Sequence, residues 1–410
     1  MDNPSNQVWV TGLGLLSCAG EGTAAHMSAL DQVDSPPRID EQGFAPYPVH
    51  PLAPVDMSRQ IAKKSDLRQM EKWQHIGVYA AGLALEDAGI AHNPELLGKT
   101  HLVVAAGSGE RDAAVDSKVL EAIASRGDTE LSAKEILPTA LRPTLFLAQL
   151  SNLLAGNISI VHNVTASSRT FMGEEMSGLS AIENAVRRIA AGQADIILVG
   201  GALNAERKDL LLGYELGCNL WPRTYAPVWQ RHTAGGGFIP GSAGAFLVLE
   251  SRLHAEARGA DPYARVNAIV TDRAQRTASG QIRRVMQQLF KRASVNITPK
   301  PIAVLSGASG VEPATQEERD FLDDLDAEGF MPTIRAFGSR LGHTVEAHFP
   351  LGLSIAALAL SRGEFLPPSG GDDVEAATKS PLERILVTGV GHWRGEGLAL
   401  LERVNGGRAS

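Results

Sequence analysis

The residues best placed to do chemistry are a pair of carboxylates and a histidine. Gly173-Glu174-Glu175 stands at the head of an apolar series, Met176, Leu179, Ile182, Val186 and Ile189, with helical spacing. A carboxylate at a helix N-terminus is favoured by the free amide N–H groups and the aligned peptide dipoles. Glu175 therefore reads as a comfortable anion at a helix start. Gly342-His343-Thr344 places an imidazole at the head of a helix rich in small residues, running from Gly342 to Leu360. His343, Glu346 and His348 are metal-ligand types, but their spacing is not the His-Glu-x-x-His of zinc helices, and no metal is expected. Cys18 and Cys218 give no disulfide framework. A loop or buried cysteine is usually a small hydrophobe. Ser167 and Ser168 lie upstream of the helix start and make poor nucleophiles. Gly107-Ser-Gly-Glu-Arg has no following Gly-Lys-Ser/Thr, so a tight turn is the reading preferred over a phosphate cradle.

The elements that must position these residues alternate between strand and helix. Gln7 to Gly12 is a first strand, Gln69 to Ala88 an amphipathic helix ended by Gly89, and His101 to Ala106 a second strand. Asp112 to Leu141 reads as two helical pieces. Thr144 to Ala155 reads as an apolar helix, and Asn157 to His162 as a strand. The stretch up to Gly173 reads as irregular. The helix after Glu175 is stopped by Gly192, and Asp195 to Val199 is the continuous apolar strand of a sheet covered on both faces. Strands at Tyr263 to Thr271, Ile302 to Leu305, Ile385 to Val390 and Leu398 to Leu401, with a helix at Ile282 to Phe290, repeat the plan. ILVTGVG at 385–391 also echoes VWVTGLG at 8–14. The expectation is an α/β protein of two similar halves, 1–250 and 251–410.

These motifs, in this order, resemble the β-ketoacyl-acyl-carrier-protein synthases, or ketosynthases. The resemblance rests on the opening VTG-G and on the elbow, helix, Ala194-Asp195 and Gly200-Gly201 series. It extends through the Gly236-to-Glu250 hairpin strand, with Ser242 where the family has Glu, and Gly342-His343-Thr344. It implies the thiolase fold, an α-β-α-β-α layering of two doubled halves. It also implies a nucleophilic cysteine at the start of the buried helix. Counting back from Ala181-Ile182 or from Gly200-Gly201 puts that position at Glu175. The family's first histidine falls at Ala308, or at Ser309 when Gly310 is the anchor. Its lysine falls at Gly338, with Arg340 nearby, and its gating phenylalanine becomes Val390. His343 matches the second histidine.

On that resemblance, three of four catalytic groups are missing, and residues that act as a unit lose nearly all rate when one is removed. The chain resembles chain-length factors, cysteine-less ketosynthase homologues that pair with an active ketosynthase. It is also similar to the ketosynthase-like proteins of very-long-chain lipid A fatty acid synthesis. The implied partners are an acyl carrier protein and an active ketosynthase, in a heterodimer, or a second copy in a homodimer. Phe146 and Leu147 are candidate floor residues of an acyl tunnel, and equally ordinary core. Two alternatives stand beside the chain-length role. One is a condensing enzyme or malonyl decarboxylase using Glu175 and His343, with the carboxylate mimicking an acylated cysteine. The other is an acyl- or carrier-binding scaffold without chemistry.

Composition narrows the classes. The chain has 410 residues, 44% hydrophobic content, and a formal net charge of −8. That is enough for a large core. The acidic balance and lack of a basic run argue against a nucleic-acid partner. The start, MDNPSNQVWV, is not a signal peptide, and no apolar run reaches membrane-spanning length. A cytoplasmic protein without a cofactor is expected.

Overall fold

The computed structural model describes residues 7–142, 145, 149–295, 297–369, 374–377, 381–404 and 406–407. Its strands are β1 (Val8–Ser17), β2 (Gly20–Glu21), β3 (His101–Ala105), β4 (Ser168–Phe171), β5 (Ile196–Leu203), β6 (Ala243–Ser251), β7 (Ala264–Asp272), β8 (Ile302–Ser306), β9 (Pro332–Ala336), β10 (Arg384–Val390) and β11 (Glu396–Glu402). They run in the order β4-β3-β5-β6-β1-β7-β11-β10-β8-β9, with β2 paired to β1. The order is a mirror: β7, β11, β10, β8 and β9 repeat β1, β6, β5, β3 and β4 outward from the centre. The halves join where Val8, Trp9 and Val10 pair antiparallel with Val266, Arg265 and Ala264. The echo of residues 8–14 in 385–391 does not mark this repeat, because β10 stands in the place of β5, not of β1.

Six helices matter for the site: α1 (Lys72–Asp87), α2 (Leu153–His162), α3 (Glu175–Ala190), α4 (Gln281–Ala293), α5 (Ala314–Ala327) and α6 (His348–Arg362). α3 and α6 form the inner layer. Leu179, Ile182, Ala185 and Ile189 of α3 share one apolar cluster with Leu351, Ile355 and Ala359 of α6 and with Val199, Leu247, Val387 and Ala399 of the strands. Every residue of α6 from His348 to Ser361 is buried. α1 and α2 cover the outer face of the first half, and α4 and α5 that of the second. The result is the five-layer α-β-α-β-α arrangement. Among the described residues, no helix is long and apolar enough to cross a membrane.

Three local expectations change. Asn157 to His162 is not a strand but the second half of α2. A short apolar run is ambiguous by periodicity alone. Here Leu154, Ala155 and Ile158 form one buried helical face, and Gly77 of α1 lets Leu154 approach. The strand lies further on: Ser168–Phe171, read as irregular from sequence, pairs parallel with β3 and, among the described residues, leaves its other edge open. Its residues are exposed or half-buried, so it lacks the apolar signature of a central strand. Finally, the Gln69 to Ala88 helix is interrupted. One helix ends at Gln69, and α1 restarts after a capping box in which Glu71 and Gln74 satisfy each other's backbone N–H groups.

Candidate functional site

Glu175 is the first residue of α3. The preceding Glu174 has φ +57° and ψ −138°, a backbone region that favours glycine. That kink turns the chain from β4 into the buried helix and aims the Glu175 side chain inward. α3 is able to pass close to the turn after His343 because Gly178 has no side chain: a Cβ there would lie 2.6 Å from the Glu346 carbonyl oxygen.

Two imidazoles converge on Glu175. His343 Nε2 donates to Glu175 Oε1 at 2.8 Å, and His392 Nδ1 donates to the same oxygen at 2.5 Å. His343 is fixed by its backbone: its N–H donates to Ile239 O at 2.8 Å, and its carbonyl accepts from Gly241 at 3.0 Å. Gly342 before it has φ +76°, and a Cβ there would meet His50 at 2.7 Å. His392 sits in the β10–β11 turn, closed by Gly391 N–H donating to Gly395 O at 2.9 Å. Tyr214 packs edge-on to the His392 ring at 5.3 Å. All three side chains are buried.

The electrostatics follow from this packing. Burial pushes the Glu175 carboxyl up, but the two imidazoles, His392 foremost, outweigh it and hold it well below the usual carboxylate range. For His343, burial dominates and lowers the pKa despite the Glu175 contact. For His392, burial also opposes the charge, yet the attraction of Glu175 and Glu174 raises the pKa. The arrangement is a Glu175 carboxylate balanced mainly by His392, with His343 as a neutral donor. A second buried carboxyl stands beside them. Burial, and then the negative charges of Glu175 and Glu174, push Glu346 up to about 7. Glu346 lines a cavity of about 520 Å³ with Gly107, Glu174, Arg207, Tyr214 and Trp393.

Ala308 is buried in the outer apolar cluster of the second half, together with Val390. Ser309 is equally buried, and its Oγ accepts from Val311 N–H. Neither offers an imidazole, and Val390 does not line the 520 Å³ cavity. Gly338 offers no amine. The neighbouring ring is His348, whose Cε1 would be 3.6 Å from a Cβ at Gly338 and whose ring lies 4.2 Å from that of His343, tilted by 50°. Arg340 instead ties down the carbonyls of Ala29, Gln32 and Ser35. Phe146 and Leu147 lie outside the described residues. Cys18 is buried, and burial pushes its thiol up to about 12; Cys218 is exposed. The Gly107 loop is irregular rather than a tight turn, and Arg207 holds it by donating to the Ser108 and Gly109 carbonyls.

Sequence reasoning missed His392. The available signal was its place directly after β10, which runs parallel to β8.

A sequence profile described as "Beta-ketoacyl synthase, N-terminal domain" matches residues 6–255. The chain is 28% identical over 269 residues to the 3-oxoacyl-[acyl-carrier-protein] synthase 2 of Vibrio cholerae serotype O1, covering 63% of this chain and 61% of that protein. It is 24% identical over 385 residues to the tetracenomycin polyketide synthase ketoacyl synthase beta subunit of Streptomyces glaucescens, covering 90% and 89%. Among solved structures, the ishigamide ketosynthase/chain length factor superposes with a TM-score of 0.78 at 21% identity, over 97% of this chain and 99% of that one. A β-ketoacyl synthase from Burkholderia phymatum gives 0.76 at 19% identity, over 97% and 100%. With the mirrored strand order and the buried α3–α6 layer, these matches place the chain in the β-ketoacyl synthase family, with the thiolase fold.

Proposed function

We propose that this protein is a subunit of acyl chain elongation that carries no acyl group itself and works beside an active ketosynthase. The observation that carries this reading is Glu175. A carboxylate stands at the head of α3, where the family's sequence pattern puts the nucleophile, and two buried imidazoles hold it ionised. A carboxylate so held is a weak nucleophile with no route to a thioester, whereas acyl transfer needs an activated thiolate. The first-histidine and lysine positions, Ala308 and Gly338, hold no replacement that reaches Glu175.

Two of the similar proteins support a paired role, one described as a ketosynthase/chain length factor and one as a beta subunit. A further structural match is an acyl-carrier protein in complex with its ketosynthase, with a TM-score of 0.69 at 16% identity. It supports an acyl carrier protein as the second partner. The open edge of β4 is the place for chain-to-chain pairing, because an exposed edge presents unpaired backbone N–H and C=O groups. A stable pair of this kind buries on the order of 2,000 Å² or more. Phe146 and Leu147, in the stretch before α2, remain the candidates for the tunnel floor, and very-long-chain acids of the lipid A type the candidate products.

Co-expression with an active ketosynthase tests the proposal. A stable heterodimer whose product lengthens on Phe146→Ala or Leu147→Ala is the expected result. A pair that assembles and condenses with unchanged product length after both substitutions leaves scaffolding alone. One observation favours a second reading, malonyl decarboxylation: His392 supplies a second imidazole at Glu175 beside the expected His343. Release of acetyl-carrier from malonyl-carrier that depends on both Glu175 and His392 establishes that reading instead.

A further inference from the structure

We infer that Glu175, His343 and His392 form a binding site for one divalent transition-metal ion, with Zn²⁺ the best-matched common ion. The three donor atoms lie within 4.8 Å of one another, and all three residues are buried. They come from three distant segments: the start of α3, the turn before α6, and the β10–β11 turn. Each segment is independently fixed, by the helix, by the Ile239 and Gly241 hydrogen bonds, and by the Gly391–Gly395 closure. Convergence of two imidazole nitrogens and one carboxylate from fixed elements is the donor set of many zinc and iron sites. Magnesium and calcium prefer all-oxygen cages, which two imidazoles do not supply.

The hydrogen-bond pattern is a second, independent pointer. Both imidazoles crowd onto Oε1, while Glu175 Oε2 is buried with no partner. A buried carboxylate oxygen without a partner is costly, and a cation is one of the few groups that offsets it. A metal ion would take the place of the protons that now join the rings to Oε1 and would engage the carboxylate directly: charged His392 would release its Nδ1 proton to solvent and keep Nε2–H, and neutral His343 would shift its single proton from Nε2 to Nδ1. His343 Nδ1 and His392 Nε2 have no acceptor within the described chain. Outer partners of that kind are worth roughly 10–100-fold in metal affinity. Binding should therefore be weaker by about that factor than at a zinc site whose histidines are fully supported.

The test uses the full-length protein, stripped with a chelator and then titrated with Zn²⁺ and, separately, with Co²⁺. The expected result is one equivalent of Zn²⁺ per chain. Co²⁺ should show the visible absorption of inner-sphere nitrogen and oxygen ligation. Glu175→Gln, which keeps the side-chain shape, and His392→Ala should each weaken binding by at least about tenfold. His232→Ala, a substitution well outside the cluster, should leave it unchanged. Absence of the Co²⁺ absorption in the folded wild-type protein overturns the assignment, as does stoichiometric Zn²⁺ binding that survives both cluster substitutions. Metal binding and acyl loading are separate readouts, so either inference is able to fail without the other.

Discussion

Glu175 and His392, 217 positions apart, meet at 2.5 Å through a single carboxylate oxygen. That contact links the N-terminus of the inner helix α3 to the β10–β11 turn. The neighbouring side chains then face unusual electrostatics, and Glu346 shows them most clearly.

Glu346 should make stability fall as pH rises. Its carboxyl titrates near the ordinary 4.5 in the unfolded chain and near 7 in the folded one. Below 4.5 both states hold the proton. Between 4.5 and 7 only the folded state does, so folding is progressively penalised until the group ionises in both states. Glu346→Gln removes the penalty. Chemical denaturation should show little change at pH 4.5 and a gain at pH 8 of up to about 3 kcal/mol. Equal effects at both pH values would contradict the assignment.

The opposite sign applies to Glu250, at the end of β6. Burial raises its pKa, but Arg258, His254 and Thr11 outweigh that and hold it at about 2. Its contribution is present above the ordinary 4.5 and is lost as pH falls toward 2. Arg258→Ala leaves this fully buried carboxylate without its main partner. The expected cost is about 3–5 kcal/mol at neutral pH, read from denaturant midpoints, and it should shrink as the solution is acidified.

Glu174 should respond to relief of strain. Its φ of +57° with ψ −138° costs a non-glycine residue on the order of 1–3 kcal/mol. Glu174→Gly should raise stability by about 1 kcal/mol, the gain being reduced by glycine's greater freedom in the unfolded chain. Equilibrium unfolding of the variant decides this, and a loss of stability would show that the side chain contributes more than its backbone costs.

Much of this was legible in the sequence, for identifiable reasons. α3 announces itself through Leu179, Ile182, Val186 and Ile189 and stops at Gly192, so the place of Glu175 followed from spacing. The apolar runs of β5 and β10 mark strands buried on both faces. β4 did not read as a strand because Ser168 and Arg169 lie on an exposed edge, where local composition carries no burial signal. α2 was misread because the six residues Asn157 to His162, taken without Leu153 and Leu154, show no helical face. His392 was hidden for another reason. Its partner is 217 positions away, and only the mirrored strand order brings the end of β10 beside the head of α3.

The central claim is that this chain never carries the acyl group. Its exposed cysteine, Cys218, lies outside the Glu175 cluster, and its buried one, Cys18, is pushed up to about 12 and so stays a thiol at neutral pH. Intact-mass spectrometry of the reconstituted pair, after loading with acyl-carrier protein, tests the claim most directly. The account predicts an acyl adduct on the active ketosynthase alone, and an unchanged mass for this protein. A stoichiometric adduct on this chain, at Cys18, Cys218 or a serine, would contradict it.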